Sequence, residues 1–366
     1  MTRTWMGALC LAGLVSACGG DSAAPAQVAQ DALRARIEQV RADGGLPGLT
    51  VVTVGGEDIA TVSAGGGAAR LRPDDLLQAG SQTKAVTAML LARLVERNRL
   101  RWDSTLAELF PEWRATMQPA LHDVTVAQLL RHRSGLQRDI EEADGEKLLP
   151  LATGDLVTDR TTAIGYMLRQ PLANVPGSTA LYSNVGYMLA GLIAERAGGA
   201  PFETLVQQEV FGPLGVTATF GFPEDVGATV GHVWQDGAWR PADFPAQDRY
   251  NMARIMAAAG GMTISMPEYG KLLREQLRGL RGDSAFLDKA TFELIHSAAD
   301  RYGFGWAASD VPGKGRVSAH AGSWGSYYVF AIVVPGSSRA VAVGCNCFGP
   351  DAVERLDELT RRLALD

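Results

Sequence analysis

Lysine is scarce in this chain, at five residues against 29 arginines among 366. Cysteine and histidine are scarce too, at four and five. Four cysteines do not make a disulfide framework. In an extended strand Cys345 and Cys347 would point to one face with their Cα atoms about 6.6 to 6.8 Å apart, at the far limit for bridging, so buried free thiols are expected. The histidines (His122, His132, His232, His296, His320) are scattered, with no His-x-x-x-His pair and no second cysteine pair at ligand spacing. That excludes the common zinc patterns, and neither a metal nor a cofactor is expected. The net charge of −6, with no basic cluster, argues against nucleic acid as a partner. Long apolar runs are also missing: Trp5 to Val15 is too short to span a bilayer comfortably.

That short run is informative for another reason. It follows Arg3, the one charge in the first 20 residues, and ends in Val15-Ser16-Ala17-Cys18. Residues 1–17 read as an export signal. The small residues before Cys18 resemble the bacterial lipobox, which implies cleavage ahead of Cys18, lipid on that cysteine and a tether over residues 18–27. Ordinary secretory cleavage nearby is the alternative. The expected destination is the periplasm or cell surface, with the chain held at the membrane through Cys18.

With 46% apolar and 20% charged residues, the remainder, 28–366, has the composition of a folded globular chain. Val28, Leu33, Ile37 and Val40 recur at helical spacing and precede a β-rich run from Leu49 to Val54. A second run, Ile59 to Ser63, lies between glycine clusters and completes a hairpin. From Ser81 to about Leu280 the signals are mostly helical, and strand-like runs are rare. The last 65 residues are β-rich again, with runs at Gly303–Ala308, Arg316–His320, Ser326–Val334 and Arg339–Cys345, closed by an amphipathic helix through Val353, Leu356, Leu359 and Leu363. The fold class is therefore α/β (α+β): an antiparallel sheet shared by both ends of the chain (28–80 and 281–366), joined to a helical lobe at 81–280.

Ser81-Gln82-Thr83-Lys84 places a hydroxyl and an amine one helical turn apart. The following stretch, apolar on nearly every side through Ala92, reads as a helix surrounded by core. A serine attacks carbonyls only when its proton is removed, and a lysine that is buried at the positive end of a helix dipole has its pKa pushed down toward a usable base. The four residues alone also fit a solvated helix start. Tyr182-Ser183-Asn184 precedes a helical run, so a phenol and an amide can face one cavity, although Asn184 is also a good helix N-cap. His320-Ala321-Gly322-Ser323 sits at a strand end, where Gly322 would let a carbonyl substrate approach the backbone. An N–H there, with that of Ser81, could form an oxyanion hole. His320 could equally be a core residue.

Taken in order, Ser-x-x-Lys at 81, Tyr-x-Asn at 182 and His-x-Gly at 320 resemble the three motifs of the serine β-lactamase and penicillin-binding superfamily, in its class C-like branch. Thr125 to Leu136, Pro176-Gly177, Phe211 to Gly215, Gly260-Gly261-Met262 and Tyr302-Gly-Phe-Gly-Trp306 are similar to landmarks of that family, so the likeness covers about residues 30 to 362. The resemblance implies Ser81 as acylated nucleophile, Lys84 and Tyr182 as base system, Asn184 in substrate orientation, and the Ser81 and Ser323 N–H groups as oxyanion donors. His320 stands where a lysine is common. Class C β-lactamases carry Lys-Thr-Gly at the third motif, and His320-Ala321-Gly322 has neither that cation nor that hydroxyl. The resemblance thus implies a serine hydrolase of small esters, amides or peptides, esterase-like or D-Ala-D-Ala-carboxypeptidase-like. A weak β-lactamase and a non-catalytic lipoprotein that binds peptidoglycan or β-lactams are the alternatives. Trp324 would form an apolar wall beside the site, or simply pack.

Overall fold

The computed structural model describes residues 25–66, 70–226, 228–245, 254–297 and 301–366. The export signal expected at 1–17 and the lipid attachment expected at Cys18 lie outside these residues. The first helix, α1, runs Pro25–Asp43, so the last residues assigned to the tether, Pro25 to Gln27, are already helical.

Both ends of the chain contribute to one six-stranded antiparallel sheet. Strands β1 (Gly48–Gly55), β2 (Asp58–Gly65), β8 (Ala307–Val311), β9 (Gly315–Ser323), β10 (Tyr328–Val334) and β11 (Arg339–Cys345) lie in the order β2-β1-β11-β10-β9-β8. Every residue of β10 is buried. Tyr328, Phe330, Ile332 and Val334 pack with α1 and α6 (Pro350–Leu365), whereas Val329, Ala331 and Val333 belong to the core on the other face. A strand covered on both faces reads as a continuous apolar run without alternation, and this one does. The second face is covered by α5 (Met266–Arg281), which packs along β1, β2, β10 and β11.

The region between is built on three long helices, α2 (Thr83–Glu96), α3 (Leu156–Met167) and α4 (Asn184–Gly198), with α2 against α4 and α4 against α3. Gly199 ends α4 in a left-handed conformation (φ 76°), as a glycine C-cap does. Two small sheets add to this. One joins β3 (Leu76–Gln78), β7 (Met262–Ser265) and β4 (Ala218–Phe220); the other joins β12 (Cys347–Phe348), β5 (His232–Gln235) and β6 (Ala238–Pro241). With strands of two to four residues, they are too short for their alternation to stand out from a helical background.

The free-thiol expectation is overturned, because Cys345 and Cys347 form a disulfide. Their Cα atoms are 5.1 Å apart, closer than an extended strand allows. The chain bends at Asn346, where it leaves β11 and turns to pair with β5: the Asn346 carbonyl accepts from the His232 N–H (3.0 Å) and its side chain donates to the Val230 carbonyl (3.1 Å). The strand assumption failed at that one residue. Among the described residues no helix is long and apolar enough to cross a membrane, and no group of three or more His, Cys, Asp and Glu side chains is arranged to hold a metal ion.

Candidate active site

Ser81 lies in a 3-10 turn, Gly80–Gln82, that leads directly into α2. Residues to which the sequence assigned no role hold this turn in place. The fully buried Gln82 donates to the carbonyls of His320 (2.7 Å) and Val329 (3.1 Å) and accepts from the Tyr269 hydroxyl (2.7 Å), tying the turn to β9, β10 and α5. Thr83 donates to the Gly80 carbonyl (2.7 Å) and accepts from the Met262 N–H (3.0 Å). The approach to β9 is backbone to backbone. A Cβ on Gly322 would collide with the Ala79 carbonyl and lie 3.0 Å from Ser81 N, while one on Gly80 (φ +53°) would lie 2.6 Å from the Ser323 carbonyl. Gly322 therefore makes room for the Ser81 turn, where the sequence suggested room for a substrate.

Lys84 is fully buried at the foot of this turn. Its Nζ is 3.0 Å from Ser81 Oγ, 2.6 Å from Asn184 Oδ1 and 2.6 Å from the Ala259 carbonyl. Burial is the main cause that holds its pKa well below the ordinary lysine range; the Asp139 charge opposes this and the Arg138 charge adds to it. A neutral amine has two N–H bonds and one lone pair. The two carbonyl oxygens are acceptors only, so they take both N–H bonds, and the lone pair is left for the Ser81 hydroxyl.

Asn184 is the first residue of α4 and is not its cap. Ser183 caps the helix by accepting from the Gly186 N–H (2.9 Å), which frees the Asn184 side chain. Its oxygen accepts from Lys84 and its nitrogen donates to Asp139 Oδ1 (2.5 Å). Asp139 thus influences Lys84 through a neutral amide, without direct contact. Tyr182 is half-buried, with its ring centroid 4.8 Å from Lys84 Nζ. Burial pushes the phenol up to about 12, against a hydrogen bond with the Ser81 side chain and the Arg138 charge. It is protonated at neutral pH.

Behind these groups is an aromatic layer that adds His132 and Tyr302, which the sequence offered only as parts of family landmarks and without a role. The His132 ring lies 4.3 Å from Tyr182 and 4.5 Å from Tyr302, and its Nδ1 accepts from the Ser183 N–H (3.1 Å). Burial, followed by the Lys84 charge, holds its pKa well below the usual histidine range. His320 is 7% exposed, 3.2 Å from the Tyr302 hydroxyl, and held at about 3 by burial and the Lys84 charge. It is neutral and belongs to this layer; the open groove is lined by Ser81, Asp139, Asn184, Met256, Ala259, Gly260, Ser323, Trp324 and Gly325. Beyond the end of β8, which pairs only as far as Ala319, the His320–Ser323 stretch of β9 has a free edge facing the Ser81 turn. The half-buried Trp324 packs beside Gly260, where an added Cβ would lie 3.1 Å from its ring. The structure thus gathers Ser81, Lys84, Tyr182 and Asn184 in contact, with Ser323 and Trp324 on the groove wall and His320 and Gly322 behind it. Asp139 and the Ala259 carbonyl had no readable signal: one lies outside the three motifs, and the other is backbone.

A mixed fold with an antiparallel sheet and a Ser-Lys-Tyr-Asn cluster beside it is the architecture of β-lactamases and transpeptidases. The chain belongs to the β-lactamase family, whose model matches residues 33–366. It is 25% identical to penicillin-binding protein 4 of Amycolatopsis lactamdurans over 90% of this chain and 87% of that one. It is 27% identical to esterase EstB of Burkholderia gladioli over 70% of this chain and 74% of the esterase. Its fold is similar to the octameric penicillin-binding protein homologue from Pyrococcus abyssi, with a TM-score of 0.74 at 22% identity, covering 91% of this chain and 77% of the other. The family and these relatives place the chain among the hydrolases of the serine β-lactamase and penicillin-binding superfamily.

Proposed function

We propose that the protein is a serine hydrolase that cleaves a carboxylic ester or amide through a Ser81 acyl-enzyme, with neutral esters as its preferred substrates. The observation that carries this is the Lys84 amine, 3.0 Å from Ser81 Oγ with its other two contacts on carbonyl oxygens. Ser81 Oγ bonds to the substrate carbonyl carbon as its proton passes to the Lys84 lone pair. The oxyanion faces the N–H groups of Ser81 and Ser323, a contribution of about 3 to 4 kcal/mol per donor. When the bond to the leaving group breaks, the proton moves from Lys84 through the Tyr182 hydroxyl to that group. Water then repeats the sequence on the acyl-enzyme and restores Ser81. A phenol held at about 12 suits a relay, while the depressed lysine suits the base.

Esters are favoured over D-Ala-D-Ala peptides and β-lactams because both of the latter carry a carboxylate, and His320 at the third motif is buried and neutral. Ser81→Ala should abolish labelling by an acylating probe and lower ester turnover by roughly 10³-fold or more. Labelling of the variant at the wild-type rate would overturn the assignment. Burst kinetics with a chromogenic ester, nitrocefin and a D-Ala-D-Ala peptide rank the three substrate classes.

Export with lipid on Cys18 belongs to the same proposal. A disulfide at Cys345–Cys347 suits an oxidising compartment. Mass spectrometry of the mature N-terminus tests it, and a Cys18 without diacylglycerol refutes the anchor.

A further inference from the structure

Beside the groove is a larger and more enclosed cavity, of about 530 Å³ against about 350 Å³ for the groove itself. It lies under the segment 141–151, which no motif covers. Its walls are mostly apolar: Ile140, Leu148, Leu151, Ala163 and Ile255 line it, and Met256 is common to this cavity and to the groove. Ile140 directly follows Asp139, so the two spaces also adjoin along the chain. Leu149 and Leu151, 43% and 54% exposed, are large apolar side chains left at the cavity mouth. Apolar surface of this kind, rimmed by charge, marks a binding site more often than chance exposure.

The segment that roofs the cavity is pinned. Buried Asp159 accepts from Thr153 N (2.7 Å), Thr153 Oγ1 (2.8 Å) and Gly154 N (3.1 Å), and the Tyr166 hydroxyl donates to Asp144 (2.7 Å). The space is therefore held open from both sides, and its mouth carries Glu141, Glu142 and Glu146.

We propose that this cavity holds the acyl moiety of the substrate, and that it selects a medium-length uncharged alkyl or aryl acyl group. The inference rests on the acyl-enzyme reading above. In that reading the acyl part stays attached to Ser81 through both steps while the alcohol must depart, so an enclosed space suits the first and the more open groove suits the second. Three carboxylates at the mouth disfavour an acyl chain that ends in its own carboxylate.

The test uses the intact protein with p-nitrophenyl acetate, hexanoate and octanoate, and a parallel series of acetates of longer alcohols. The expected result is a rise in kcat/KM of roughly tenfold or more from acetyl to hexanoyl, with little dependence on the alcohol chain. Ala163→Phe, which fills the wall, should lower the hexanoyl-to-acetyl ratio. Leu149→Asp at the exposed mouth should do the same and keeps the test alive should the first variant fail to fold. A flat acyl series, or a preference that follows the alcohol, overturns the pocket assignment while leaving the Ser81 reading intact. Undiminished hydrolysis of all esters by Ser81→Ala overturns the reading beneath it.

Discussion

Among the described residues one lysine and one arginine, Lys84 and Arg160, are buried in the helical region, and their surroundings differ. Arg160 on α3 is held by carboxylates: its guanidinium pairs with the buried Glu195 and with Glu203, and also donates to the Arg254 carbonyl. Lys84 on α2 is held by three neutral oxygens. A buried charge with its counter-ions in place is locked into the charged form and serves architecture. A buried amine offered only dipoles is pushed toward neutrality, and a neutral amine beside a hydroxyl is a base. Asn184 maintains the distinction by bonding to both Lys84 and Asp139, the carboxylate whose charge opposes a neutral amine.

Exchanging the two cations for neutral side chains should separate chemistry from stability. Lys84→Met is expected to lower the acylation rate by roughly 10³-fold or more, yet to melt near the wild-type temperature, because an apolar chain of similar volume replaces the desolvated amine. A large loss of thermal stability would mean that Lys84 is a structural cation after all. Arg160→Met should do the reverse. It leaves Glu195 buried without its partner and should cost about 3 to 5 kcal/mol in denaturant unfolding. Retention of full stability would remove Arg160 from the comparison.

Smaller effects test the insulating amide. Activity that needs neutral Lys84 is present above the lysine pKa and lost as pH falls through it. Asn184→Asp places a carboxylate against the amine, raises that pKa and should move the acid limb of the kcat/KM profile to higher pH. Asp139→Asn removes a charge that raises it and should move the limb to lower pH. Shifts of the same sign in both variants would break the argument.

The last effect is on stability alone and shows only as its pH dependence. His296, buried against Trp306 and 2.9 Å from Gln276 Oε1, is held at about 3 by burial and the Arg316 charge. Its folded pKa lies below its unfolded value, so between pH 6.5 and about 3 the unfolded chain binds more protons and stability falls with falling pH. His296→Gln should flatten that slope by up to about 1.4 kcal/mol per pH unit. An unaltered slope would show that this histidine titrates normally.

The centre of the large sheet was legible because β1, β10 and β11 are long and bear apolar side chains on both faces, whereas the exposed edge strand β8 spans Ala307–Val311 and not the run Gly303–Ala308 expected from the sequence. The Ser81 cluster was legible because its members are side chains at short spacings: Ser81 and Lys84 share one helical turn, and Tyr182 and Asn184 flank one cap. What escaped lacked such marks. The Ala259 carbonyl is backbone, the small sheets are too short to show a period, and the bend at Asn346 that brings Cys345 and Cys347 together arises from pairing with a distant strand. Gln82 and Thr83, given no role from the sequence, turned out to be the fasteners of the Ser81 turn, since polar residues in an apolar run reveal their partners only in three dimensions.

Most walls of this groove are made of side chains, and a wall of side chains can be renegotiated by paired substitutions over time. The join between Gly80 and Gly322 has none to exchange. A single methyl at either place would push the Ser81 turn away from β9, and no neighbour could shrink to compensate, because the atoms in its way are backbone. Redesign of this protein for a new substrate therefore has freedom on the cavity side and almost none along that bare seam.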